Sequence, residues 1–207
     1  GVRSGDGCAG AGSTRRGLSV WSSRGLRVAE TNRQPRTNRG SEGCVRRNLM
    51  SKVGAGTESA NGISLLRDSE KDGKVDETFA FLENLNSPFG MALIDGTLYI
   101  ANTDAVYAYP YVEGDTKITA EGRKVANLNA RAPNNHWTRD LLASDDGKYL
   151  YISVGSNSNI GENGMDIEKQ RAAILRVEHA TNKKTIYADG MRNPVGMAYL
   201  PGTDKFY

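Results

Sequence analysis

The sequence predicts an all-β chain of many short strands joined by tight turns. Its 24 glycines, and 9 tyrosines against 4 phenylalanines and 2 tryptophans, favour strands and turns over a helical bundle. The segments "GMALIDGTLYIAN" (90–102), "DLLASDDGKYLYISVG" (140–155) and "GMAYLPGTDKFY" (196–207) share one layout. Each is a short apolar strand, a polar turn containing Gly, then a strand with tyrosine at the same place: Tyr99, Tyr151 and Tyr207. With the strands between them, that is about four strands per roughly 50 residues, the period of a β-propeller blade. A blade cannot bury both of its faces alone, so blades close into a ring. The chain holds about three and is expected to be part of a propeller.

In chain order, "LRVAE" (26–30) reads as a first strand, and residues 31–60 read as an irregular insertion loop. "GISLLRD", the turn "SEKDGK" and "VDETFAFLE" read as a hairpin with Asp-Gly at its tip. Asp68, Glu70 and Asp72 in that turn lack the remaining ligand positions of a calcium loop and are expected to be a solvated hairpin tip. "AVYAYPY" follows the first repeat hairpin, and "AAILRVE" and "KTIYADG" follow the second.

Residues 1–24 are rich in Gly, Ser and Arg, lack a sustained period, and are expected to be disordered or foreign to the fold, which then occupies residues 25–207. They contain no apolar run of the signal-peptide kind. The net charge of +3 is unevenly spread: residues 1–52 hold 11 Lys/Arg against 3 Asp/Glu, and the remainder is acidic. These arginines have neither aromatic interleaving nor a helical face, so nucleic acid is not an expected partner. No window approaches the length of a transmembrane helix. Cys8 and Cys44 allow one disulfide if the protein is exported, and they define no disulfide framework.

In a propeller, the loops leading into the innermost strands gather at one end of the central channel, where a ligand touches several blades. Here these are "NLNSPFGMA", "RAPNNHWTRDL" and "GMRNPVGMA". His136 is the candidate general base, because imidazole titrates near neutrality. Arg192 and Asn193 offer a forked cation and an amide to a carboxylate-bearing or quinone-like ligand. Asn135 and Asn157, the latter in the turn-prone "GSNSNIGENG", are candidate sugar contacts at the mouth. His179, in a polar hairpin turn, is expected to be inert. Trp137 and Tyr151 are expected to pack, and Arg139 and Asp140 to pair or to stitch neighbouring blades. No metal ligands are expected among residues 1–207.

The runs "LNSPFGMALIDGTLYIANTDAVYAYPY", "NNHWTRDLLASDDGKYLYISVGSNSNIGENGMD" and "YADGMRNPVGMAY" closely resemble the soluble quinoprotein sugar dehydrogenases, particularly the sorbosone dehydrogenase branch, over about residues 25–207. The resemblance implies a six-bladed propeller that binds pyrroloquinoline quinone with calcium and oxidises an aldose or a sorbosone-like aldehyde. It implies that His136 takes the substrate hydroxyl proton while hydride passes to the quinone. Arg192 would stabilise the charge developing on the quinone oxygen, with Asn193 also against the cofactor. The family's calcium loop lies in blades beyond Tyr207. A small-molecule sugar, a downstream electron acceptor and a periplasmic or secreted location follow from the same resemblance. A half-propeller exposes a blade face and an unclosed ring, so residues 1–207 alone are expected to be an inactive fragment. In the glucose-oxidising members an acidic residue precedes the histidine; here it is Asn135.

Two other function classes compete. A propeller that keeps the scaffold and serves as a non-catalytic binding module would have no reason to place a base and a cation on neighbouring channel loops. A metal-dependent lactone hydrolase needs acidic ligands converging in the channel, where these loops offer His, Arg and Asn.

Overall fold

The structure, a computed structural model, describes residues 21–23, 26–31, 61–69, 74–200, 203 and 205, with the backbone alone over 21–31. Cys8, Cys44, Glu70, Asp72, Tyr207 and most of the 31–60 insertion lie outside the described residues.

Among the described residues, twelve strands form three four-stranded antiparallel sheets, each wound in simple chain order. The first contains β1 (Trp21–Ser23), β2 (Leu26–Thr31), β3 (Gly62–Arg67) and β4 (Glu77–Leu82). The second contains β5 (Gly90–Ile94), β6 (Thr97–Ala101), β7 (Ala105–Pro110) and β8 (Arg123–Asn127). The third contains β9 (Leu141–Ala143), β10 (Tyr149–Val154), β11 (Ala173–Glu178) and β12 (Lys184–Ala188). These are three successive blades of a β-propeller. Among the described residues there is no α-helix, and no helix is long and apolar enough to cross a membrane.

Local chemistry sets the turns. Between β5 and β6 the Asp95-Gly96 pair carries φ of 44° and 71°, the doubly left-handed turn whose twist suits a two-residue hairpin. The β3–β4 hairpin closes through Asp76 N–H on Arg67 O (3.0 Å) and Ser69 N–H on the Asp76 carboxylate (2.7 Å).

The second blade shows why the blades must stack. Successive side chains of a strand point to opposite faces. Met91, Leu98, Ile100 and Tyr109 join Ile63, Leu65 and Phe81 of the first blade in one buried cluster. The alternate residues Ala92, Tyr99, Ala101, Val106 and Ala108 join Leu150, Ile152, Val154, Leu175 and Val177 of the third blade in another. Each fully buried aliphatic side chain contributes roughly 1.5–3 kcal/mol. Trp137 packs at the loop end of the same interface. Its ring meets Phe89 edge to face at 6.1 Å, and its carbonyl accepts from Thr103 Oγ1 (3.1 Å).

Arg139 and Asp140 stitch on both sides. Gly90 N–H, at the start of β5, donates to Arg139 O (2.8 Å). The buried Asp140 carboxylate accepts from Leu141 N–H (3.0 Å), Gly196 N–H (3.1 Å) and Met197 N–H (3.4 Å), which anchors the loop after β12.

Two features depart from the sequence reading. Trp21–Ser23, within the segment expected to be disordered or foreign, pair with β2 in the register Trp21↔Val28. The strand β8, "RKVAN", escaped notice because it is short and its alternation is weak. In the third repeat Tyr199 is a bridge residue and a tight turn closes through Leu200 N–H on Lys205 O (2.7 Å), while residues 201, 202, 204, 206 and 207 lie outside the described residues.

Gly90 tests the inner packing. A Cβ there would lie 2.5 Å from Leu141 N, 2.7 Å from Arg139 O and 2.8 Å from Asp140 C, all backbone atoms. Gly90→Ala is therefore expected to cost at least about 1–3 kcal/mol in urea denaturation. An unchanged midpoint would mean that β5 and β9 are not held this closely.

Candidate functional site

The loop leading into β9 carries His136, half-buried, after the cis Ala132-Pro133 bond and the left-handed Asn134 (φ 48°). Its ring abuts the end of β10. Nδ1 lies 3.0 Å from Ser156 O and 2.8 Å from Ser156 Oγ, while Ser156 Oγ–H is spent on Ser158 O. A carbonyl oxygen can only accept, so Nδ1 carries the proton. Nε2 then holds the lone pair, and it has no hydrogen-bond partner among the described residues. That is the tautomer a base needs.

Gly155 brings the next piece in. A Cβ on Gly155 would lie 2.5 Å from His136 Cβ and closer still to Asn193 Oδ1, so the missing side chain is what lets the two residues meet over one peptide. Arg192 is exposed on the same loop as Asn193. Its carbonyl accepts from Ser156 N–H (2.8 Å), and its guanidinium donates through Nε to Asn159 O (2.9 Å) and through Nη2 to Asn159 Oδ1 (2.7 Å). Its Nη1 and the Asn193 amide make no hydrogen bond within the described protein. His136, Arg192 and Asn193 thus gather around residues 155–159 and offer an open base, a cation and an amide.

The two candidate sugar contacts separate. Asn135 is exposed and donates its backbone N–H to Asn157 O (2.9 Å). Asn157 is fully buried rather than at the mouth: its amide donates to Arg131 O (2.6 Å) and accepts from Asn163 Nδ2 (3.1 Å), bracing the loop. His179 is not in open solvent, since its ring meets Tyr99 of the neighbouring blade edge to face at 5.8 Å. Tyr151 packs against Tyr187 at 5.0 Å.

Two residues beneath the site, Glu168 and Arg171, stand in no motif of the sequence, and Arg139 joins them there. Glu168, in a short 3-10 helix (Met165–Glu168), accepts from Asn157 N–H (2.7 Å), Ser158 N–H (3.0 Å) and Ser158 Oγ–H. Arg171 donates through Nε to Gly155 O (2.8 Å) and through Nη2 to both His136 O and Ser156 O (3.0 Å each). Arg139, fully buried, donates to His136 O (2.8 Å), Thr138 O (2.9 Å), Asn129 O (3.0 Å) and Asn134 Oδ1 (3.2 Å). No local motif marks Glu168 and Arg171; their one signal is their place in the same β10–β11 loop as Asn157.

Charge follows from this geometry. Burial lowers the His136 pKa below 6.5, and Arg192 and Arg171 add to the fall, against opposing pulls from the Ser156 hydrogen bond and Glu168. The imidazole is therefore neutral at pH 7. Burial draws Arg139 down to about 9 and Arg171 to about 10, so both stay charged. Burial pushes the Glu168 carboxyl up, but the bonds from Ser158 and Asn157, with Arg171, outweigh it and hold the pKa below 4.5.

A family model described as TrAA12-like matches residues 57–207. The chain is 26% identical over 137 residues to an uncharacterised protein of Borreliella burgdorferi, covering 62% of this chain and 35% of that one. Among solved structures, it is similar to the iodide structure of a Trichoderma reesei carbohydrate-active enzyme of family AA12 (TM-score 0.56, 19% identity, 89% of this chain, 49% of that one). It is also similar to the holo form of the PQQ domain of pyranose dehydrogenase from Coprinopsis cinerea (TM-score 0.55, 17% identity, 67% of this chain, 36% of that one). The chain spans between about a third and a half of the length of these relatives.

Two outcomes are expected from this geometry. Gly155→Ala should push His136 and Asn193 apart and move the His136 ring resonances in NMR; unmoved resonances would mean that the ring does not rest on Gly155. Glu168, with its pKa depressed on folding, gives stability that is fully present above 4.5 and is lost as pH falls through the lower folded value. Hydrogen exchange at Asn157 and Ser158 should accelerate over that acidic window in the wild type. A Glu168→Gln variant should show no such pH step.

Proposed function

The chain belongs to the TrAA12-like family, and from that premise we propose that it forms part of a sugar oxidoreductase that uses pyrroloquinoline quinone, with His136 as the general base. The observation that carries this reading is the His136 tautomer: a neutral ring with Nδ1–H held by Ser156 and a free Nε2 lone pair, beside an exposed cation and amide.

The residues fit an anionic quinone. Arg192 Nη1 and the Asn193 amide are unspent and lie on one loop, so they would hold it by charge-assisted and neutral hydrogen bonds. When bound, the quinone supplies a two-electron acceptor for hydride. The protein's own work is to take the hydroxyl proton at His136 Nε2, which eases departure of hydride from the same carbon. Arg192 holds a fixed positive charge where negative charge develops. The relay from Arg192 to Asn159 keeps that guanidinium oriented.

Calcium finds no matching set here, since among the described residues no group of three or more Asp, Glu, His or Cys side chains converges. No step is drawn through it. The substrates favoured are aldoses and sorbosone-like sugars, on the quoted motifs.

The test is dye reduction by the complete polypeptide with a panel of aldoses and sorbosone-like sugars, with and without pyrroloquinoline quinone. Activity should require the quinone and should fall about 10²–10⁴-fold in His136→Ala. It should rise with pH through a midpoint below 6.5, as the imidazole loses its proton. Absence of both quinone binding and turnover would leave a propeller that binds another ligand.

A further inference from the structure

His136 rests on charge as well as on hydrogen bonds. Two guanidinium groups converge on its carbonyl oxygen: Arg139 Nη1 at 2.8 Å and Arg171 Nη2 at 3.0 Å. Arg171 goes further, because the same Nη2 reaches Ser156 O, the oxygen that also receives the imidazole Nδ1–H, and its Nε reaches Gly155 O. One side chain thus fixes the peptide carrying the base, the acceptor that sets the base's tautomer, and the glycine against which His136 and Asn193 meet. Arg171 is 3% exposed, out of reach of any substrate. A buried cation needs compensation. Glu168 supplies a negative charge to Arg171 from the same loop, and Asp104 supplies one to Arg139. The buried Arg171 Nη1 and Arg139 Nε carry no hydrogen bond, a cost that a merely structural strut would be expected to shed.

We propose that Arg171 is the positioning residue of this site: through Ser156 O and His136 O it holds the His136 ring in the tautomer with a free Nε2, and its charge joins burial and Arg192 in disfavouring imidazolium. The inference deepens the reading of His136 as a base and takes its functional meaning from that reading. The charged groups around the ring are Arg139 on its own loop, Arg171 and Glu168 on the β10–β11 connection, and Arg192 on the loop after β12. A cation this close disfavours imidazolium and a carboxylate favours it. Arg171 and Glu168 therefore act in opposite directions, which a mutational series can separate.

The experiment is an NMR pH titration of the complete polypeptide labelled at histidine, with the His136 signal assigned as the one lost in His136→Gln. No quinone or sugar is added, so the outcome stands apart from whether the protein turns over substrate. Arg171→Gln is expected to raise the His136 midpoint, Arg171→Lys to return it toward the wild type, and Glu168→Gln to lower it. A folded Arg171→Gln protein whose midpoint is unchanged overturns the proposal. If Arg171→Gln does not fold, the wild-type imidazole ¹⁵N shifts decide: Nδ1 protonated above the midpoint supports the arrangement, and Nε2 protonated overturns it.

Discussion

A four-stranded antiparallel sheet that is apolar on both faces cannot stand alone in water, and the rest of this structure depends on that constraint. The second blade shows it most plainly. Its even and odd positions are equally buried, one set against the first blade and the other against the third. Stacking then dictates where loops can go. The start of β5 is pressed so closely on the start of β9 that glycine is required at residue 90, and the loops ahead of the inner strands are gathered at one end.

The site is a consequence of that gathering. The loop before β9 brings His136, the end of β10 brings Gly155 and Ser156, and the loop after β12 brings Arg192 and Asn193. Backbone groups do most of the joining: Ser156 N–H on Arg192 O, Asn135 N–H on Asn157 O, and Arg171 on three carbonyls. Short polar loops expose many backbone acceptors, and a buried arginine with five N–H donors can satisfy several at once. Arg139 and Arg171 do this work here. Their charge is then placed beneath an imidazole, which ties the scaffold to the protonation state of the base.

Much of the fold was legible because strand alternation and Asp-Gly turns are local signals. The β5–β6 hairpin, β7, β10, β11 and β12 lie where period two and the turn residues put them. The strand β8 is the exception, being short and charged at its start. The gathering of His136, Arg192 and Asn193 was legible from residue type and from their place on loops expected to face the channel. Arg171 and Glu168 were not, since what they do depends on which carbonyls fold around them. Asn157 reads as a mouth residue because asparagine in a Gly/Ser/Asn run usually is exposed; it is buried by Glu168, eleven residues on in the same loop, and by Arg131 from the loop before β9.

We propose that Arg192 and Asn193 would hold an anionic quinone within reach of His136 Nε2. The decisive measurement is a crystal structure of the complete polypeptide soaked with pyrroloquinoline quinone. Cofactor density is expected in hydrogen-bond contact with Arg192 Nη1 and the Asn193 amide, with room for a sugar hydroxyl against His136 Nε2. Cofactor bound away from these three residues, or His136 with Nε2 turned into Ser156, would contradict it.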